Sequence, residues 1–195
     1  MFARNLSIIF AAAVVIAGAA IVIVGAASPA AADDIEAKVG ACGLCHGTDG
    51  RPVGPEIPVI WGQKQNFLVK EIHDYRAGDR YNALMAAVAH GIAQEDTRPI
   101  GAYFAAKTWP KGTPSSAGPD PSITDKLEQC QACHQPGFLG GDQGPRLAGL
   151  NEKYLAKTMD DFANGQRTNN LDMPGFMKAL TQDERHAIAK YLAGL

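Results

Sequence analysis

The sequence predicts an all-α protein built from two tandem, similar units, and three observations carry that expectation. The pattern Cys42-Gly43-Leu44-Cys45-His46 returns as Cys130-Gln131-Ala132-Cys133-His134, an internal repeat at an offset of 88 residues. Apolar residues in each unit recur at helical spacing. No alternating apolar and polar run of useful length marks a strand.

The first element is an export leader. Arg4 supplies a short positive region, and Leu6 to Ala27 follows without a charge. Ser28-Pro29 then interrupts the apolar run, and Ala30-Ala31-Ala32 offers the small residues a signal peptidase requires. Cleavage after Ala32 defines residues 1–32 as a signal peptide. The apolar run is also long enough to span a bilayer, so an uncleaved anchor is the alternative. On either reading the remainder is exported to the periplasm, and it contains no second apolar run of spanning length.

The first unit covers residues 33–106. Phe67, Leu68, Ile72 and Tyr75 fall on one helical face, and Gly78 sits where that helix stops. Pro99 stands several residues into the last helix of the unit, where it would clash with the preceding turn, so this helix is expected to start late or kink. Residues 107–124 contain Pro110, Pro114, Pro119 and Pro121 and read as an extended, stiff linker.

The second unit, 125–195, repeats the first. Pro58 to Gly62 matches Pro145 to Gly149, Phe67-Leu68-Val69-Lys70 matches Tyr154-Leu155-Ala156-Lys157, and Asp74 to Arg80 matches Asp161 to Arg167, all at an offset of 87. By Met85 and Met173 the offset is again 88, and it holds through Tyr103 and Tyr191. Two loops therefore differ in length while the framework does not. Tyr154, Leu155, Met159 and Phe162 form the equivalent helical face, Gly165 the equivalent stop, and Thr181-Gln182-Asp183-Glu184 a capping box for the last helix. Units of about 70 residues are marginal for a purely apolar core, which favours a cofactor in each.

Charge narrows the function. The chain carries 18 Lys and Arg against 20 Asp and Glu, net −2; losing Arg4 with the leader leaves 17 against 20. That balance excludes the basic footprint of a nucleic-acid partner.

In Cys-X-X-Cys-His the two thiols lie close enough to add to the vinyl groups of one haem, and the adjacent His can reach the iron. Two copies on an exported chain favour two covalently bound haem c groups, through Cys42 and Cys45 and through Cys130 and Cys133. A zinc site built from both Cys-X-X-Cys pairs and a thioredoxin-type redox pair are the alternatives. Met85 lies 39 residues after His46, and Met173 lies 39 after His134. His46, Met85, His134 and Met173 are accordingly the candidate iron ligands. Met177 competes with Met173, and His90 with Met85. His73, His90 and His186 each align with a charged residue of the other copy and read as surface groups. Pro58 and Pro145 begin matched segments, and their carbonyls are candidate acceptors for the Nδ1 atoms of His46 and His134. Trp61, Arg80 and Arg167 either shape a haem edge and pair with propionates or, for the arginines, form ordinary surface ion pairs.

These motifs, with the (Phe/Tyr)-Leu to Gly-X-Arg stretches and the Met to Ala-X-Tyr endings, resemble the two-haem class I cytochromes c of the cytochrome c-four type. The resemblance covers 33–195. It implies two tandem class I cytochrome c domains related by pseudo-twofold symmetry, haems facing each other across the interface, His-Met ligation at both irons, and a periplasmic electron carrier. The dihaem subunit of flavin-dependent sulfide dehydrogenases is similar. Single-electron carriage from a quinol-oxidising complex to a terminal oxidase is one function, and service as the electron-accepting subunit of a periplasmic dehydrogenase is the other. Membrane contact is expected only through such partners or an uncleaved anchor. Catalysis at iron needs an exchangeable axial site, so no catalytic residue is expected.

Overall fold

The computed structural model describes residues 29–112 and 118–195, with side chains from Asp34 onward. The leader up to Ser28 and residues 113–117 of the linker lie outside the described residues. Eight α-helices account for the described chain: α1 (Pro29–His46), α2 (Gln65–Ala77), α3 (Ala83–Gly91), α4 (Thr97–Ala105), α5 (Thr124–His134), α6 (Glu152–Ala163), α7 (Met173–Lys178) and α8 (Gln182–Ala193). The expected cleavage point after Ala32 falls in the first turns of α1. Among the described residues there is no strand, and no helix is long and apolar enough to cross a membrane.

Helices α1 to α4 repeat as α5 to α8. In each half the segment after the prolyl turn is tied to the final helix by one backbone bond. Gly62 N–H donates to the Phe104 carbonyl at 2.8 Å, and Gly149 N–H to that of Leu192 at 2.9 Å. Helices α2 and α6 bury the faces expected for them, with Leu68 and Tyr75 in one and Leu155, Met159 and Phe162 in the other. Gly78 ends α2 with φ 84°, a left-handed conformation that glycine adopts without steric cost.

The last helices show what Pro99 does. α8 starts at Gln182 behind a complete capping box, in which Glu184 N–H donates to Thr181 Oγ1 at 3.2 Å and Thr181 N–H to Glu184 Oε2 at 2.8 Å. The equivalent of its first turn, Gln94–Asp96, is instead a 3-10 turn, and α4 begins at Thr97. The late start places Pro99 in the first turn of α4, where a missing N–H costs no intrahelical bond.

Ile123, Ile188 and Leu192 are fully buried, each contributing about 1.5–3 kcal/mol relative to exposure. They belong to a core of the second half that also takes in Val59, with Trp61 and Trp109 packed against it. The first half has a smaller core of its own, Val39, Leu68, Ile100 and Phe104. Both ends of the 107–124 stretch are docked: Ile123 lies in the second core, and the guanidinium of Arg146 stacks over the Trp109 ring at 4.3 Å.

Candidate haem sites and the interface between the halves

Helices α1 and α5 each end at the His of a Cys-X-X-Cys-His motif, which presents the thiols and the imidazole on the closing turn. Both imidazoles are buried, with 8% exposure in each half. His46 Nδ1 donates to the Pro58 carbonyl at 2.8 Å, and His134 Nδ1 to that of Pro145 at the same distance. That bond fixes the tautomer and ring plane and directs the Nε2 lone pair away from the prolyl turn. Burial pushes the pKa of both imidazoles down, only partly opposed by the prolyl carbonyls, so each ring is held neutral as a metal ligand must be.

Glycine makes room for these turns. Gly47, with φ 84°, turns the chain directly after His46, where a Cβ would lie 2.0 Å from the Arg51 carbonyl oxygen. A Cβ on Gly144 would stand 3.0 Å from His134 Nδ1 and 3.1 Å from the Cys133 carbonyl oxygen, so the loop carrying Pro145 approaches the imidazole only because the position is glycine.

None of the four cysteines is paired with another in a disulfide. Burial pushes the Cys42 and Cys130 thiols up, the reverse of the activation a thioredoxin-type pair needs. Among the described residues no three His, Cys, Asp or Glu side chains gather as a metal cluster, so the two Cys-X-X-Cys pairs do not converge as a shared zinc would require. Two thiols and a neutral imidazole on one helical turn, in duplicate, fit the attachment chemistry of haem c.

Met85 and Met173 occupy equivalent places in the first turns of α3 and α7, both half-buried. Asn82 Oδ1 accepts from Met85 N–H at 3.0 Å, and Asn170 Oδ1 accepts from Met173 N–H at 2.8 Å. These asparagines were not singled out from the sequence, although each stands three residues before its Met at the same offset of 88. Met177 is 4% exposed, packs in the second core, and its carbonyl accepts from Arg185 Nη1 at 3.1 Å. His73, His90 and His186 are exposed as expected, His186 Nε2 meeting Asp160 Oδ2 at 2.9 Å.

Arg80 and Arg167 are not in ordinary surface ion pairs. They form an isolated antiparallel bridge between the halves, and both guanidiniums bind Glu71, at 2.5 Å and 2.8 Å. Each stacks on an aromatic ring of its own half, Tyr75 and Phe162. Asn169 donates to Asp74 Oδ2 at 2.6 Å, and Asp74 also pairs with Lys70. The sequence concealed this cluster because Glu71 has Thr158 as its counterpart, so the repeat gave it no charged partner to match.

Two amides complete the interface. Gln63, 3% exposed, donates through Nε2 to the Arg146 carbonyl at 2.9 Å and accepts through Oε1 from Arg146 N–H at 2.8 Å. Asn151 Nδ2 donates to the Ile57 carbonyl at 2.9 Å. Each amide thus grips the prolyl turn of the opposite half.

A helical fold in two copies, each closing a helix on Cys-X-X-Cys-His, defines a c-type cytochrome with two haem groups, an electron-transfer protein. Known proteins agree. The chain is 33% identical to "Cytochrome c4" of Stutzerimonas stutzeri, over 85% of this chain and 90% of that one. It superposes on the crystal structure of reduced recombinant cytochrome c4 from Pseudomonas stutzeri with a TM-score of 0.72 and 30% identity, covering 84% of this chain and 98% of that one. A "Thiosulfate dehydrogenase electron acceptor" of Stutzerimonas stutzeri is 28% identical over 80% of this chain and 79% of its own. Residues 124–192 match the family described as "Cytochrome C oxidase, cbb3-type, subunit III". The chain belongs to the cytochrome c4 family.

Proposed function

We propose that the chain is an exported, freely diffusing electron carrier whose two domains, 33–106 and 125–195, are joined by the linker 107–124 and each hold one haem. Cys42 and Cys45 hold the first and Cys130 and Cys133 the second, with His46 and Met85, then His134 and Met173, as axial ligands. The observation that carries this reading is the identical 2.8 Å bond from each motif His to its prolyl carbonyl. When bound, each haem supplies a one-electron couple.

The chain's own residues do the rest. Pro58 and Pro145 orient the imidazoles and raise their basicity. Asn82 and Asn170 each hold the backbone N–H of the Met three residues further on. The Arg80, Glu71 and Arg167 cluster holds the halves in one relative position, so the distance between the two centres is set by a buried ion network. The net charge is small, which suits brief docking with a redox partner such as a quinol-oxidising complex, a terminal oxidase or a dehydrogenase.

Signal cleavage after Ala32 places the mature carrier in the periplasm, with an uncleaved leader anchoring it to the membrane instead. The relative named as a thiosulfate dehydrogenase electron acceptor favours a second reading, in which this chain accepts electrons from a periplasmic dehydrogenase. Native purification at physiological salt separates the two. A chain that elutes alone and is oxidised rapidly by an oxidase-containing membrane fraction supports the carrier, whereas stable co-elution with a dehydrogenase overturns it.

A further inference from the structure

The side chain of Gln63 does more than join the halves. Its three partners are all backbone groups: Oε1 accepts from Arg146 N–H at 2.8 Å and Lys64 N–H at 2.9 Å, while Nε2 donates to the Arg146 carbonyl at 2.9 Å. The reverse amide orientation would face donors with donors, so the chemistry of the partners fixes which atom is which. Gln63 is buried, 3% exposed.

The Arg146 N–H belongs to the same peptide group as the Pro145 carbonyl. That single planar unit therefore accepts from His134 Nδ1 at one end and donates to Gln63 at the other. Hydrogen bonds in such a chain polarise one another. Donation by the N–H makes the carbonyl oxygen more negative and a stronger acceptor. A stronger acceptor at Nδ1 makes the imidazole a better donor to iron, which favours the ferric state.

Among the described residues the first half has no equivalent relay. Asn151 of the second half also grips a prolyl turn, but at the Ile57 carbonyl. The nitrogen of that peptide group is Pro58 N, which carries no hydrogen, and the Pro58 carbonyl that accepts from His46 belongs to the next peptide. The sequence shows the same asymmetry, since the counterpart of Gln63 is Leu150.

We propose that Gln63 is a positioning and tuning residue for the second iron site: acting through the Pro145–Arg146 peptide from the opposite domain, it strengthens the His134 hydrogen bond and lowers the reduction potential of the second haem selectively. Docking of the two domains is thereby part of the electronic setting of one centre and not of the other. The inference rests on His134 being an axial ligand.

The test is a spectroscopic redox titration of the holoprotein and its Gln63→Leu, Gln63→Glu and Asn151→Leu variants, with the second haem assigned by the wave that Met173→His displaces. Gln63→Leu removes the acceptor and should raise the second potential, changing its oxidised-to-reduced ratio at fixed potential about threefold or more, which is ~28 mV at 59 mV per tenfold for one electron. Gln63→Glu keeps an oxygen on the Arg146 N–H and, protonated, a hydroxyl that donates to the Arg146 carbonyl, so it should hold the second potential close to the wild-type value. The first wave should stay in place in both. Asn151→Leu loosens the same interface and should leave the second wave unmoved. In the reduced protein, the His134 Nδ1 proton resonance should move upfield in Gln63→Leu and stay near its wild-type position in Gln63→Glu. A second wave that is unmoved in Gln63→Leu, or that rises as far in Gln63→Glu, overturns the proposal. If Gln63→Leu does not accumulate, Gln63→Ala is titrated in its place, and a second potential that does not rise overturns the proposal. A failure of the ligand reading looks different: Met173→His displaces neither wave, or one centre lacks a low-spin spectrum, and the proposal falls with it.

Discussion

Arg80 and Arg167 occupy equivalent positions in the two halves, meet in an antiparallel bridge, and share the carboxylate of Glu71. One acidic residue from the first half thus pairs with a cation from each half in a site where all three side chains are nearly excluded from water. Removing a single partner of such a network leaves charge buried without compensation, which costs about 3–5 kcal/mol. Glu71→Ala should lower stability by that order in urea denaturation of the holoprotein, and Arg80→Ala and Arg167→Ala should each cost clearly more than exposed Lys157→Ala. Equal small effects for all of these would contradict a structural role for the cluster.

Much of the fold is legible in the sequence because the repeat allows one half to be read against the other. The Pro99 anomaly stands out through comparison with Ala187, and its consequence, a late start to α4, follows from proline's missing N–H. The prolyl acceptors for His46 and His134 are legible in the same way. Residues that break the repeat are not. Glu71, Gln63 and Asn151 have Thr158, Leu150 and Lys64 as counterparts, and they serve the contact between halves, which no pattern within one half records. Arg80 and Arg167 stand out in the repeat as a matched pair, but only their shared carboxylate shows why they are buried.

The capping box of α8 predicts a local cost. Thr181→Ala removes the acceptor for Glu184 N–H and should destabilise the protein by ~1 kcal/mol in the same denaturation assay. Thr181→Ser, which keeps the oxygen, should retain most of the stability. A loss as large for serine as for alanine would place the effect in packing of the methyl group.

Acid sensitivity follows from Asp160. Burial raises its pKa, but hydrogen bonds from His186, Arg185 and Gln182 outweigh this and hold it below the ordinary 3.8. A carboxylate depressed in the folded state contributes stability that is complete above its unfolded pKa and is lost as pH falls through the folded value. Stability measured from pH 6 downward should therefore fall below about pH 4. Asp160→Asn should lower stability at pH 6 and flatten that part of the profile. An unchanged acid limb in the variant would contradict the assignment.

Each half is proposed to bind its iron between a motif His and the Met 39 residues further on. The most direct measurement is the weak far-red sulfur-to-iron charge-transfer band of the oxidised protein, recorded for the wild type and for Met85→Ala, Met173→Ala and Met177→Ala. The band should have the intensity of two centres in the wild type, lose about half in each of the first two variants, and keep full intensity in Met177→Ala, since the Met177 side chain packs in the core. Loss of half the band in Met177→Ala with none in Met173→Ala, or a wild-type band for only one centre, would contradict that ligation.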